Sequence, residues 1–180
     1  MTNFSNKIPL ARDSTPDDPR SYWDKLLMEE QRAKATAYAA PTQVTVDPSC
    51  DYIPATKDPT VQKAALAALN RSMHDEAAGK AEHGFYASEN IFGDGYSVGP
   101  TFTSGFQRRI DLERASRMKS GLLPSLANGT YPPSVLVHAH PNNKSPSPVS
   151  AADRGAASNL GLPVAAIDRA GILTCTPRQK

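Results

Sequence analysis

The stretch Ser134-Val135-Leu136-Val137-His138-Ala139-His140-Pro141 decides how this chain is read. Its short apolar run, rich in β-branched residues, is the mark of a buried strand. Side chains on a strand alternate with a period of two, so His138 and His140 face the same way. Pro141 has no backbone N–H to donate and ends the strand at once, leaving both imidazoles at an open edge. Two imidazoles held side by side are good ligands for Zn²⁺. Nine residues later comes Ser150-Ala151-Ala152-Asp153, which reads as a helix start with Asp153 in the first turn. That turn is within reach of a metal at the strand end. Two histidines, Asp153 and a water would complete the open tetrahedral site of a hydrolytic zinc centre, where the water is acidified towards neutrality. Such a site needs a base for the attacking water. Glu82, in Ala81-Glu82-His83-Gly84-Phe85-Tyr86, is the best-placed acid, Glu89 the second choice, and Glu76 a further alternative.

Outward from this stretch, the chain reads as an arm followed by one domain. Seven of the 16 prolines (9, 16, 19, 41, 48, 54 and 59) fall in the first 60 residues, too dense for long regular elements. Ser21 could cap one amphipathic helix running from Tyr22 to about Ala39, stopped by Pro41. Residues 42–59 read as loop or extended chain, with Val44 and Val46 in a short strand. Residues 1–59 are therefore expected to be a proline-rich arm without a core of its own. From Pro59 to about Ala78 a helix is expected. Short strands then flank the turn Gly93-Asp94-Gly95, a helix covers 109–119, and the histidine strand follows. A helix over 150–160 and a hairpin over 164–175 complete the domain. The expected fold class is α/β (α+β): a mixed β-sheet flanked by helices, over residues 60–177.

Composition excludes several classes. With 20 Lys+Arg against 18 Asp+Glu, the net charge of +2 provides no basic field for nucleic acid. Arg108, Arg109, Arg114 and Arg117 are interleaved with Asp111 and Glu113, as on a solvated helix face. No apolar run approaches the roughly 20 residues that span a bilayer. The first residues lack the charged start and apolar stretch of a secretory signal, so no cleaved leader and a cytoplasmic origin are expected. Cys50 and Cys175 cannot form a disulfide framework and sit in no ligand spacing; free thiols are expected. A cytidine-deaminase site would need His-x-Glu with Pro-Cys-x-x-Cys, and neither is present. No nucleophile-elbow pattern supports Ser-His-Asp hydrolysis.

The pattern Glu82 … His138-x-His140-Pro141 … Ser150-x-x-Asp153 resembles the JAMM (MPN+) metallopeptidases, and looks closest to JAMM-like domains of bacterial polymorphic toxins and secreted effectors. The terminal Ala166-Ile167-Asp168-Arg169-Ala170-Gly171-Ile172 resembles their hairpin of apolar–Asp-x-x-Gly–apolar form. The likeness spans roughly residues 60–176. It implies cytidine-deaminase-like layering, zinc bound by His138, His140 and Asp153, and Glu82 as general acid/base. It also implies that Ser150 stabilises the tetrahedral intermediate in an oxyanion-hole role. The implied activity is zinc-dependent cleavage of a peptide or isopeptide bond in a protein or peptide substrate. An effector role would add delivery by a specialised secretion machine and an immunity protein as partner; neither nucleic acid nor membrane is expected. The sequence departs from the family in a longer interval before Ser150, in Val149 where proline is usual, and in Ala139 where serine or threonine is frequent. The rival expectation is an inactive JAMM-like module that recognises a protein partner.

Overall fold

The computed structural model describes residues 41–74, 81–103, 130–141 and 146–178. The chain divides into two compact units, residues 1–39 and 40–180. The first unit lies outside the described residues, as do the helices expected over 22–39 and 109–119. In the second unit the elements run β1 (Thr45–Val46), α1 (Pro59–His74), β2 (His83–Asn90), β3 (Tyr96–Val98), β4 (Phe102–Thr103), β5 (Thr130–His140), α2 (Ala151–Leu160), β6 (Val164–Asp168) and β7 (Ile172–Cys175). They build one mixed sheet of order β1-β7-β6-β5-β2-β3, with β4 also paired to β2. The expected α+β class is what is observed.

Helix α1 begins where Asp58 accepts backbone N–H groups of Thr60 and Val61, and Pro59 occupies the first turn. Its buried residues Val61, Ala65, Ala68, Leu69, Ser72 and Met73 recur at helical spacing and form one stripe. That stripe packs on β2, β3 and β5 and shares a core with Phe85, Val135, Val137, Ala139, Ile167 and Leu173. Helix α2 links the parallel strands β5 and β6. Its Ala156, Ala157 and Leu160 form a second apolar cluster with Tyr86, Phe102, Leu136, Leu162 and Val164. Successive β5 residues thus alternate between the two clusters, as the pleat requires.

β5 starts at Thr130, earlier than its apolar run suggests. Pro132 and Pro133 are carried because the β2–β5 ladder is irregular there, with register shifts around Ser88. A missing donor is tolerated at such a bulge.

The arm expected over 1–59 ends sooner. Residues 41–58 belong to the second unit, so the boundary falls at 39/40. Three kinds of contact place them there. β1 pairs in parallel with β7, Tyr52 Oη donates to the Thr176 carbonyl, and Cys50 is joined to Cys175 by a disulfide. The expectation of free thiols is therefore corrected. The parallel β1–β7 pairing brings together two cysteines 125 residues apart, with Cα atoms 5.0 Å from each other, within the span a disulfide bridges. Gly171 fits the same seam. Its φ of 81° suits the turn after β6, and a Cβ there would lie 2.5 Å from the Gln43 carbonyl oxygen.

Candidate metal centre

The centre forms where the α2-facing side of β5 changes from apolar to imidazole. Leu136 still packs in the α2 cluster, but the next two positions on that face are His138 and His140. Both are buried, with ring centroids 4.6 Å apart in an edge-to-face arrangement. Beside them, β2 brings Gly84 into register with His138. A Cβ on Gly84 would lie 2.9 Å from the Val137 carbonyl oxygen and 3.2 Å from His138 Cβ. The glycine therefore lets β2 approach closely just where Glu82 enters the site.

Glu82 and Asp153 contact opposite nitrogens of His138. Glu82 Oε2 lies 3.3 Å from Nδ1. Asp153 Oδ1 lies 3.1 Å from Nε2, and Asp153 Oδ2 lies 3.5 Å from His140 Nε2. One carboxylate thus faces both Nε2 atoms. Asp153 is aimed by the start of α2 through a reciprocal capping box: its N–H donates to Ser150 Oγ at 3.2 Å, and its Oδ2 accepts the Ser150 N–H at 2.6 Å. The remaining imidazole nitrogen, His140 Nδ1, faces Ser147 Oγ at 3.3 Å.

All four principal side chains are almost fully buried, with 5% of Glu82, 1% of His138, 4% of His140 and 4% of Asp153 exposed. Buried charge is costly unless paired, and the cluster pairs it internally. Burial works against charge on His138, yet Asp153 and Glu82 push its pKa up. Burial likewise opposes the Asp153 carboxylate, but His138, His140 and the Ser150 N–H hold it well below the usual carboxylate range.

The residues fit a metal ion. Glu82, His138 and His140 each offer a ligand atom, and the three atoms lie within 4.8 Å of one another. His138 Nε2 is buried yet makes no hydrogen bond to any described residue; Asp153 Oδ1 is near it without meeting hydrogen-bond geometry. A buried nitrogen without a hydrogen bond, facing an oxygen donor, has the chemistry of a metal ligand.

The structure brings Glu82, His138, His140 and Asp153 together. Ser150 is exposed and reaches the group through its cap on Asp153. Glu89 does not join it: it is exposed and pairs with Tyr96, towards the other end of β2. Glu76 lies outside the described residues. Sequence reasoning missed Ser147 and the support role of Asp168. The Asp168-x-x-Gly171 pattern marked the turn, but only the folded hairpin shows what the carboxylate holds.

No helix among the described residues is long and apolar enough to cross a membrane. Comparison with protein-family models, with curated proteins and with solved structures finds no match to this chain.

Proposed function

We propose that this chain is a zinc-dependent hydrolase of amide bonds, peptide or isopeptide, of the JAMM kind. The observation that carries the reading is convergence. Glu82 just before β2, His138 and His140 on β5 and Asp153 on α2 lie far apart in sequence, and they meet in one buried cluster. Placement of α1 and α2 against a mixed sheet is consistent with JAMM-like layering. Two imidazoles with carboxylate oxygens suit zinc better than magnesium or calcium, which prefer all-oxygen shells.

In this reading His138, His140 and Asp153 hold the ion through Nε2, Nε2 and a carboxylate oxygen. When bound, zinc supplies an acidified water and a Lewis acid for the scissile carbonyl. Glu82 holds and moves the proton at Oε2. Ser150 Oγ already accepts the Asp153 N–H, which leaves its hydroxyl proton for a developing oxyanion. Substrate is a protein or peptide. The Cys50–Cys175 disulfide fits a chain that meets an oxidising compartment, as a secreted effector would.

One observation favours a second reading, a metal-holding binding module. Glu82 lies on the Nδ1 side of His138, where a carboxylate orients a metal-binding imidazole rather than handling a substrate proton. The two readings separate on Glu82→Gln. As a hydrolase, the variant keeps zinc and loses roughly 10²-fold or more in turnover of peptide and isopeptide-linked substrates. As a binding module, the zinc-loaded wild type shows no turnover, and the substitution changes only zinc affinity.

A further inference from the structure

The histidine pair is supported unequally at its outer nitrogens. His138 Nδ1 meets a carboxylate, Glu82, whereas His140 Nδ1 meets a hydroxyl, Ser147. We infer that Ser147 is a positioning residue for the metal centre: held by Asp168, it fixes the His140 ring at Nδ1 with Nε2 turned towards Asp153 as a ligand. The inference rests on the centre binding a metal and is independent of whether that metal hydrolyses anything.

The support begins on β6. Asp168 pairs in register with His140 on the neighbouring strand β5, and it is 1% exposed. Its two oxygens divide their work. Oδ1 accepts the N–H groups of Ala170 and Ile172 at 2.9 and 3.0 Å, closing the β6–β7 turn. Oδ2 accepts the Ser147 N–H at 3.0 Å. A carboxylate that the hairpin already needs therefore also pins the backbone of Ser147. Two residues on, the Val149 N–H donates to Thr174 Oγ1 at 3.0 Å, fastening the same segment to β7.

Local covalent structure supports this placement. Ser147 lies between Pro146 and Pro148. Neither proline has an N–H that could compete for the Ser147 hydroxyl or for Asp168. Pro148 also biases Ser147 towards extended backbone. Ser147 is 8% exposed, so water offers its hydroxyl little competition.

Acceptance at Ser147 Oγ requires the proton of His140 to sit on Nδ1. When Nε2, 3.5 Å from Asp153 Oδ2, serves as a metal ligand, Nδ1 carries that proton; without a metal the hydroxyl can donate to Nδ1 while Nε2–H faces the carboxylate. Fixing the ring through its far nitrogen is how an outer partner tunes a metal-binding histidine, and loss of such a partner typically weakens metal affinity about 10–100-fold.

The test uses the full chain with Ser147→Ala and Ser147→Thr, and zinc alone as the probe. Two quantities are read: zinc affinity by competition with a chelating dye, and the ¹⁵N shifts of the His140 ring in zinc-free protein. Ser147→Ala is expected to lower zinc affinity about 10–100-fold and to shift the His140 Nδ1 resonance, as its hydroxyl partner is lost. Ser147→Thr, which keeps the hydroxyl, is expected to restore both. Unchanged His140 ¹⁵N shifts and unchanged affinity in Ser147→Ala would overturn the inference. So would an equal loss in the threonine variant, since that would mark a packing effect. If the wild type binds no zinc, the metal reading fails; the His140 ¹⁵N shifts then decide the role of Ser147 separately.

Discussion

The two faces of β5 are buried to the same degree and do different work. Towards α1 the strand presents Val135, Val137 and Ala139, all fully buried against aliphatic and aromatic neighbours. Towards α2 it presents Leu136, His138 and His140, of which only Leu136 has an apolar surrounding. Val137 and His138 are adjacent and almost equally hidden from water. What separates them is the partner: a helix stripe on one side, two carboxylates on the other. Burial alone therefore does not mark the core. The α1 face supplies a rigid base on which the α2 face can hold polar groups that would otherwise be costly to bury.

The largest expected effect breaks the apolar side. Phe85 is fully buried in the α1-side core, and Phe85→Ala should lower stability by about 3–5 kcal/mol. Urea unfolding measures the loss, and zinc affinity of the folded fraction should stay near the wild-type value. A matching fall in zinc affinity would show that the two faces are not separable. Next comes the seam at the sheet edge. Cys50→Ser with Cys175→Ser should cost about 2–4 kcal/mol; in the oxidised protein, reductant should reproduce the shift in melting temperature without added effect in the double variant. No shift would remove residues 41–58 from the stable unit. The smallest effect lies at the helix start below the histidines. Ser150→Ala removes the hydroxyl that caps Asp153 and should cost about 1 kcal/mol by chemical denaturation. A neutral result would mean that Asp153 is held by the imidazoles rather than by α2.

Much of this contrast was legible from residue order. Period-two alternation placed His138 and His140 on one face, and Ser150-x-x-Asp153 announced the capping box that aims Asp153. Helix α1 and the short strand at Val44 and Val46 were also expected, the latter observed as Thr45–Val46. The rest depended on contacts that no local pattern encodes. Cys50 and Cys175 meet because a two-residue strand docks on β7, and so short a strand carries little periodic signal. Pro132-Pro133 resembles a strand breaker until β2 supplies the bulge that absorbs it. Ser147 looked like a loop residue, since its role needs Asp168 from the next strand and the ring of His140 at once.

The central claim is that the polar half of the α2 face is a metal centre. Its most direct test is zinc content of the purified full chain beside His138→Ala/His140→Ala, after equilibration with zinc and gel filtration. The account predicts about one zinc per wild-type chain, as a single site of this kind holds one ion, and none above background in the double variant. Equal, negligible zinc in both proteins would contradict it.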